Sequence, residues 1–266
     1  MYISHLHLKT IQSLTPDELQ QVVAATITPT SWMTDASMLI RRFQLTKLYS
    51  IENAEHYNWD VAVLQKITED TIATVAKSIP LHEHLSITLV PALPFPWFDG
   101  VDISLTTNGF TNSPTSIWIA IPPNVDLDFY QYLLAHELHH ASPINPIYSL
   151  TNENFPLKEW WKMEGCAEYF SLQHFRDKRW WTAAYTAEVE RRYMQRIRPA
   201  FNCVDPAVKG SLTFGAPNEQ LPYMIGYSFA YVAIKHYVTT HPLPSLAALF
   251  DLNSDVVFND YIQVKS

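Results

Sequence analysis

Three features of the sequence predict an α+β protein, mostly helical with one small antiparallel sheet. Helical apolar spacing fills roughly the first 80 residues. Short β-branched runs broken by Pro, Gly and Asn follow, and helical spacing resumes from Asp126 to the end. The order helices, sheet, helices fits a single domain over 1–266, with a helical N-terminal region (1–80) and a remainder (81–266) that carries the sheet and the helices of the candidate site.

Taken in order, "TPDELQQVVAAT" starts a helix near Pro16. Thr15 is its N-cap, and Glu18, three residues on, completes a capping box. Two more helices are predicted over Asp35–Leu48 and Trp59–Ser78, the second stopped by Pro80. "HLSITLVPAL", "VDISLTT" and "TSIWIAIPP" read as strands, with "TNG" as a turn. "PALPFPWFDG" reads as a loop, because its prolines cannot donate to a ladder. Helices are predicted again over Asp126–Ala141, Leu157–Phe175, Trp180–Ile197 and Pro222–Thr239, with a short one at Ser245–Phe250 and a loop from Pro199 to Leu221.

Composition excludes several classes. With 47% hydrophobic and 17% charged residues the chain has enough apolar surface to offset the entropy of folding. The net charge of -8 is not relieved by any basic cluster, so nucleic acid is not an expected partner. No signal-like start and no membrane-length apolar run is visible, which predicts no membrane association and a cytoplasmic location. Cys166 and Cys203 are too few for a disulfide framework and read as free thiols.

"HELHH" concentrates the chemistry. At about 100° per residue, His136 and His140 lie one turn apart on one helix face and can grip one ion, while Glu137 sits where a general base reaches a metal-activated water. His139 falls to the other side and is expected to be a bystander. Zinc hydrolases use three protein ligands, and "WWKMEGCAEYF" supplies the third as Glu164. Glu164 and Glu168 share a stripe with Leu157, Trp160, Trp161 and Phe175, where an uncompensated carboxylate costs several kcal/mol. Zn²⁺ would compensate Glu164, and the N–H of a metal-bound imidazole would compensate Glu168. Gly165 and Ala167 leave room for close packing of the two site helices. Glu153 and Glu159 are the rival third ligands, and an acid pair on a solvated helix face is the alternative without metal.

"HELHH", 23 intervening residues and "EGCAE" resemble the gluzincin metallopeptidases, and the segment from "SIWIAIPP" to "EGCAEYF" resembles the YjaZ-like family of predicted zinc-dependent proteases. The resemblance implies a zincin-like fold with its sheet beside the HExxH helix. It implies zinc on His136, His140 and Glu164, Glu137 as base, and Glu168 behind a zinc histidine. It also implies that the strand "TSIWIAI" pairs with an extended substrate. "PYMIG" is similar to the Tyr-x-x-Gly of aminopeptidase N-like enzymes and points to Tyr223 as the oxyanion donor, although Ile225 stands where a lysine is common there. Tyr227 is the other candidate.

The expected function is zinc-dependent hydrolysis of peptide bonds in a peptide or protein substrate. Two other readings are a deformylase-like amidohydrolase with Cys166 as ligand and a zinc-binding or interaction protein without turnover. Mixed-charge "EVERRYMQRIR" reads as a solvated helix face, and the pairs His5/His7 and His82/His84 as strand or loop faces.

Overall fold

Four strands pair in the order β1 (Tyr2–His5), β2 (Ser86–Pro91), β4 (Ser116–Ile121), β3 (Asn108–Ser113). The computed structural model describes residues 2–27, 35–52, 57–93, 100–151, 154–216 and 219–265. It is 60% helical with this one small sheet, so the α+β class holds. Contacts divide the chain into two units, Met1–Tyr148 with His174–Lys178, and Ser149–Gln173 with Arg179–Ser266.

In the first unit the helices are α1 (Leu8–Ser13), α2 (Pro16–Ala24), α3 (Ala36–Arg42), α4 (Val61–Val75) and α5 (Leu127–His140). The capping box forms as expected: Thr15 Oγ1 accepts from Glu18 N at 3.3 Å, and Glu18 Oε2 accepts from Thr15 N at 2.7 Å. The predicted Asp35–Leu48 helix is divided into α3 and a 3₁₀ turn at Leu45–Ser50, with Gln44 left-handed between them.

The sheet is mixed rather than antiparallel. β1, β2 and β4 run parallel, and β3 alone pairs antiparallel, with β4. The reason lies in the connections. β3 and β4 are joined by a tight turn at 114–115, whereas β1 and β2 are separated by α1–α4, a crossover that returns the chain to the end of the sheet from which it started. The inner strands β2 and β4 are covered on both faces: Ile87, Leu89 and Val90, and Ile117, Trp118 and Ile119, are fully buried.

Two local expectations shift. "VDISLTT" forms a 3₁₀ turn (Ile103–Leu105), because the Asp102 side chain accepts from Ser104 N at 2.9 Å and competes with a ladder. The strand then begins at Asn108, inside the "TNG" expected to turn. β4, the strand "TSIWIAI", is paired on both sides and cannot add a substrate strand. The strand of this hairpin at the sheet edge is β3. Residues 94–99 of the proline-bearing loop lie outside the described residues.

α5 lies against β3 and β4 on one side and α4 on another, where Thr68 Oγ1 and Tyr130 Oη are 2.6 Å apart. No helix among the described residues is long and apolar enough to cross a membrane.

The second unit contains α6 (Leu157–His174, whose last residue belongs to the first unit), α7 (Ala187–Ile197), α8 (Pro206–Phe214), α9 (Ile225–Thr240) and α10 (Ser254–Lys265). α8 occupies the stretch expected as a loop. Asp205 caps it, accepting from Ala207 N and Val208 N at 2.9 Å, and Pro206 takes the first turn, where its missing N–H costs nothing. The core is built on Trp161, fully buried among Tyr193, Phe201, Phe229 and Phe258 at ring distances of 5.2–6.1 Å.

Gly165 allows close packing, and its neighbour is α9: a Cβ there would lie 2.7 Å from the Ala230 carbonyl oxygen. Gly165→Ala should therefore destabilise the protein by about 1–3 kcal/mol through overpacking against backbone. Urea unfolding measures this, and an unchanged midpoint would contradict the packing.

Candidate metal centre

α5 starts where the Asp126 side chain accepts from Phe129 N at 2.9 Å, and its last two turns, Leu134 to His140, are buried throughout. His136 and His140 therefore project into the interior. Their rings lie 4.6 Å apart at 82°, with the two Nε2 atoms 2.9 Å from each other. His139, 1% exposed, has its ring 6.1 Å from that of His140. It does not belong to the donor cluster described below.

Glu137 is 5% exposed and held from β3. Thr111 Oγ1 donates to Glu137 Oε2 at 2.7 Å and lies 2.9 Å from the Glu137 carbonyl. Gly109 explains itself here, since a Cβ at that position would meet Glu137 Oε1 at 2.5 Å. The carboxylate occupies space that only glycine leaves. The end of α5 is tied down as well: Tyr148 Oη donates to the His140 carbonyl at 2.7 Å and Asn145 Nδ2 does so at 3.3 Å. Burial, and then the charge of Glu137, push the Tyr148 hydroxyl well above the usual tyrosine range.

Glu164, on α6, is 6% exposed, and Trp160 one turn earlier donates its indole N–H to Oε1 at 3.0 Å. One donor atom each of His136, His140 and Glu164 lie within 4.8 Å of one another, and this is the one cluster of three or more metal-donating side chains among the described residues. Zinc bonds of about 2.0–2.2 Å put tetrahedral neighbours about 3.3–3.5 Å apart. The 2.9 Å imidazole pair and the 4.8 Å limit bracket that spacing, and two neutral imidazoles with one carboxylate are a zinc donor set. The residues fit the ion.

The other candidates have partners of their own. Glu168, 1% exposed, accepts from Arg179 Nη1 at 2.8 Å, and that guanidinium also covers the Tyr231 ring at 4.1 Å. Glu159 pairs with Lys162 at 2.8 Å and accepts from Ser254, and Glu153 lies outside the described residues. Tyr223 stacks on Trp180 at 5.3 Å and 7°, and Tyr227 is buried with its ring 6.0 Å from Phe214. Cys166 is outside the donor cluster. Its Sγ donates to the Leu249 carbonyl at 3.6 Å, and burial pushes the thiol up to about 12.

Sequence reasoning missed Thr111, Gly109, Tyr148 and Arg179. Only Trp160, four residues before Glu164 on the same helix face, carried a readable signal.

Residues 75–259, more than half of the chain, match the model of a family described as Predicted Zn-dependent protease (DUF2268). No curated protein and no solved structure matches.

Zinc binding to such a site stabilises the folded state, by about 2.7 kcal/mol when free metal exceeds its Kd by 100-fold. Thermal melts of the chelated protein with and without added Zn²⁺ should show this rise. Glu164→Ala should abolish it and Cys166→Ser should keep it; the reverse pattern would favour the thiol as ligand.

Proposed function

We propose, from the fact that this chain belongs to the family of predicted Zn-dependent proteases, that it hydrolyses peptide bonds in peptide or protein substrates in the manner of a gluzincin, with zinc on His136, His140 and Glu164. The observation that carries the reading is the donor cluster together with Glu137, the residue after the first ligand, held at a defined place by Thr111. On this reading the residues of both units serve one zincin-like metallopeptidase domain.

Zinc bound there would supply a Lewis acid for the scissile carbonyl and lower the pKa of the attacking water towards about 7. Glu137 takes the proton from that water and passes it to the leaving amine. Thr111, which donates to Oε2, leaves Oε1 as the atom with freedom to carry the proton. Gly109 leaves the space that this oxygen occupies. Tyr223 is the proposed oxyanion donor, with Tyr227 as the alternative. Glu168, anchored by Arg179, supports the site from behind.

Substrate would align on β3, which pairs only with β4 among the described residues and carries both Gly109 and Thr111. Arg42 Nη2 donates to the Gly109 carbonyl at 3.3 Å, so one acceptor on this strand is already engaged.

Glu137→Gln should retain zinc by elemental analysis and lower turnover of a fluorogenic peptide library by about 10²–10⁴-fold. Undiminished turnover would sink the mechanism. Gly109→Ala should also retain zinc and lose activity, because its methyl group displaces the Glu137 carboxylate.

A further inference from the structure

We infer that Trp160, with Lys209 over its ring, is the positioning device for Glu164: it holds one carboxylate oxygen by hydrogen bond so that the other is presented to the metal. The inference rests on the zinc reading above and concerns residues to which nothing so far gives a role.

The indole N–H has one hydrogen and spends it on Glu164 Oε1 at 3.0 Å. A carboxylate held this way binds metal through a single oxygen in a set orientation, and fixing a ligand by such an outer hydrogen bond is how metal sites gain affinity. Two aromatic rings pack against the indole. Phe155 stacks on it at 6.2 Å and 25°, and Phe214 meets it edge-on at 5.6 Å and 79°.

Lys209, from α8, completes the box. It is 6% exposed, donates to the Phe155 carbonyl, and places its ammonium 4.8 Å from the Phe155 ring and 5.5 Å from the Trp160 ring. A buried cation held by one carbonyl and two ring faces is expensive to maintain. Desolvation accordingly lowers its pKa. Its location gives it a use: a positive charge on the indole face withdraws density from the ring and makes the N–H a stronger donor to the carboxylate.

The test is Zn²⁺ affinity, measured by competition with a chromophoric chelator on the full chain, alongside the thermal midpoint of the metal-free protein. Trp160→Phe keeps an aromatic ring and removes the N–H. It should weaken zinc binding about 10–100-fold while moving the metal-free midpoint by no more than about 4 °C, the size of one lost hydrogen bond. Phe258→Leu loosens the core around Trp161 instead, so its zinc affinity should stay within about threefold of wild type, and Lys209→Arg, which keeps the cation, should do the same. Wild-type affinity in Trp160→Phe would overturn the inference, as would equal losses in Trp160→Phe and Phe258→Leu, which would make the effect one of packing. A wild-type chain that takes up no Zn²⁺ overturns the metal reading and this inference together, and the wild-type arm alone identifies that case.

Discussion

Burying carboxylates without orphaning them is the constraint on which the rest of this structure depends. Glu137, Glu164 and Glu168 are each at most 6% exposed, and a buried carboxylate without compensation costs several kcal/mol. Each has a specific partner from a different kind of group: a threonine hydroxyl on β3, an indole N–H one helical turn away, and a guanidinium at Arg179. Much of the surrounding chain exists to deliver those partners. Gly109 yields its side-chain volume to Glu137, and Gly165 lets α6 lie on α9 so that the turn bearing Glu164 is buried at all.

The mixed sheet serves the same end. Three parallel strands make the base, with β2 and β4 buried, and the antiparallel β3 brings a polar strand, "NGFTNS", alongside the buried end of α5. A strand with two Asn and a Gly is a poor candidate by β-propensity, yet its composition is what the neighbouring glutamate requires: a hydroxyl to donate and a glycine to make room. Reading substrate pairing onto β4 fails for the complementary reason. Its sequence, apolar after Ser116, belongs to a strand paired on both sides and buried on both faces.

Local signals survived folding wherever the interaction they encode spans a few residues. The Thr15–Glu18 capping box, the Asp126 cap of α5 and the extent of α6 are legible because cap and helix are set by hydrogen bonds within one or two turns. α8 lies where the prolines predict a loop, although Asp205 and Pro206 form a local helix start. Strand direction was not legible, since parallel or antiparallel pairing depends on where distant segments return.

The sequence by itself determined the helices of the site, the face shared by His136 and His140, the place of Glu137 beside them, and the α+β class, because helical periodicity is a local property. Glu164, singled out by the sequence, lies with the two histidines, but only the tertiary structure decided that Glu168 pairs with Arg179 and that Thr111 and Gly109 hold the glutamate. These last are contacts between different elements, which helical periodicity does not reach.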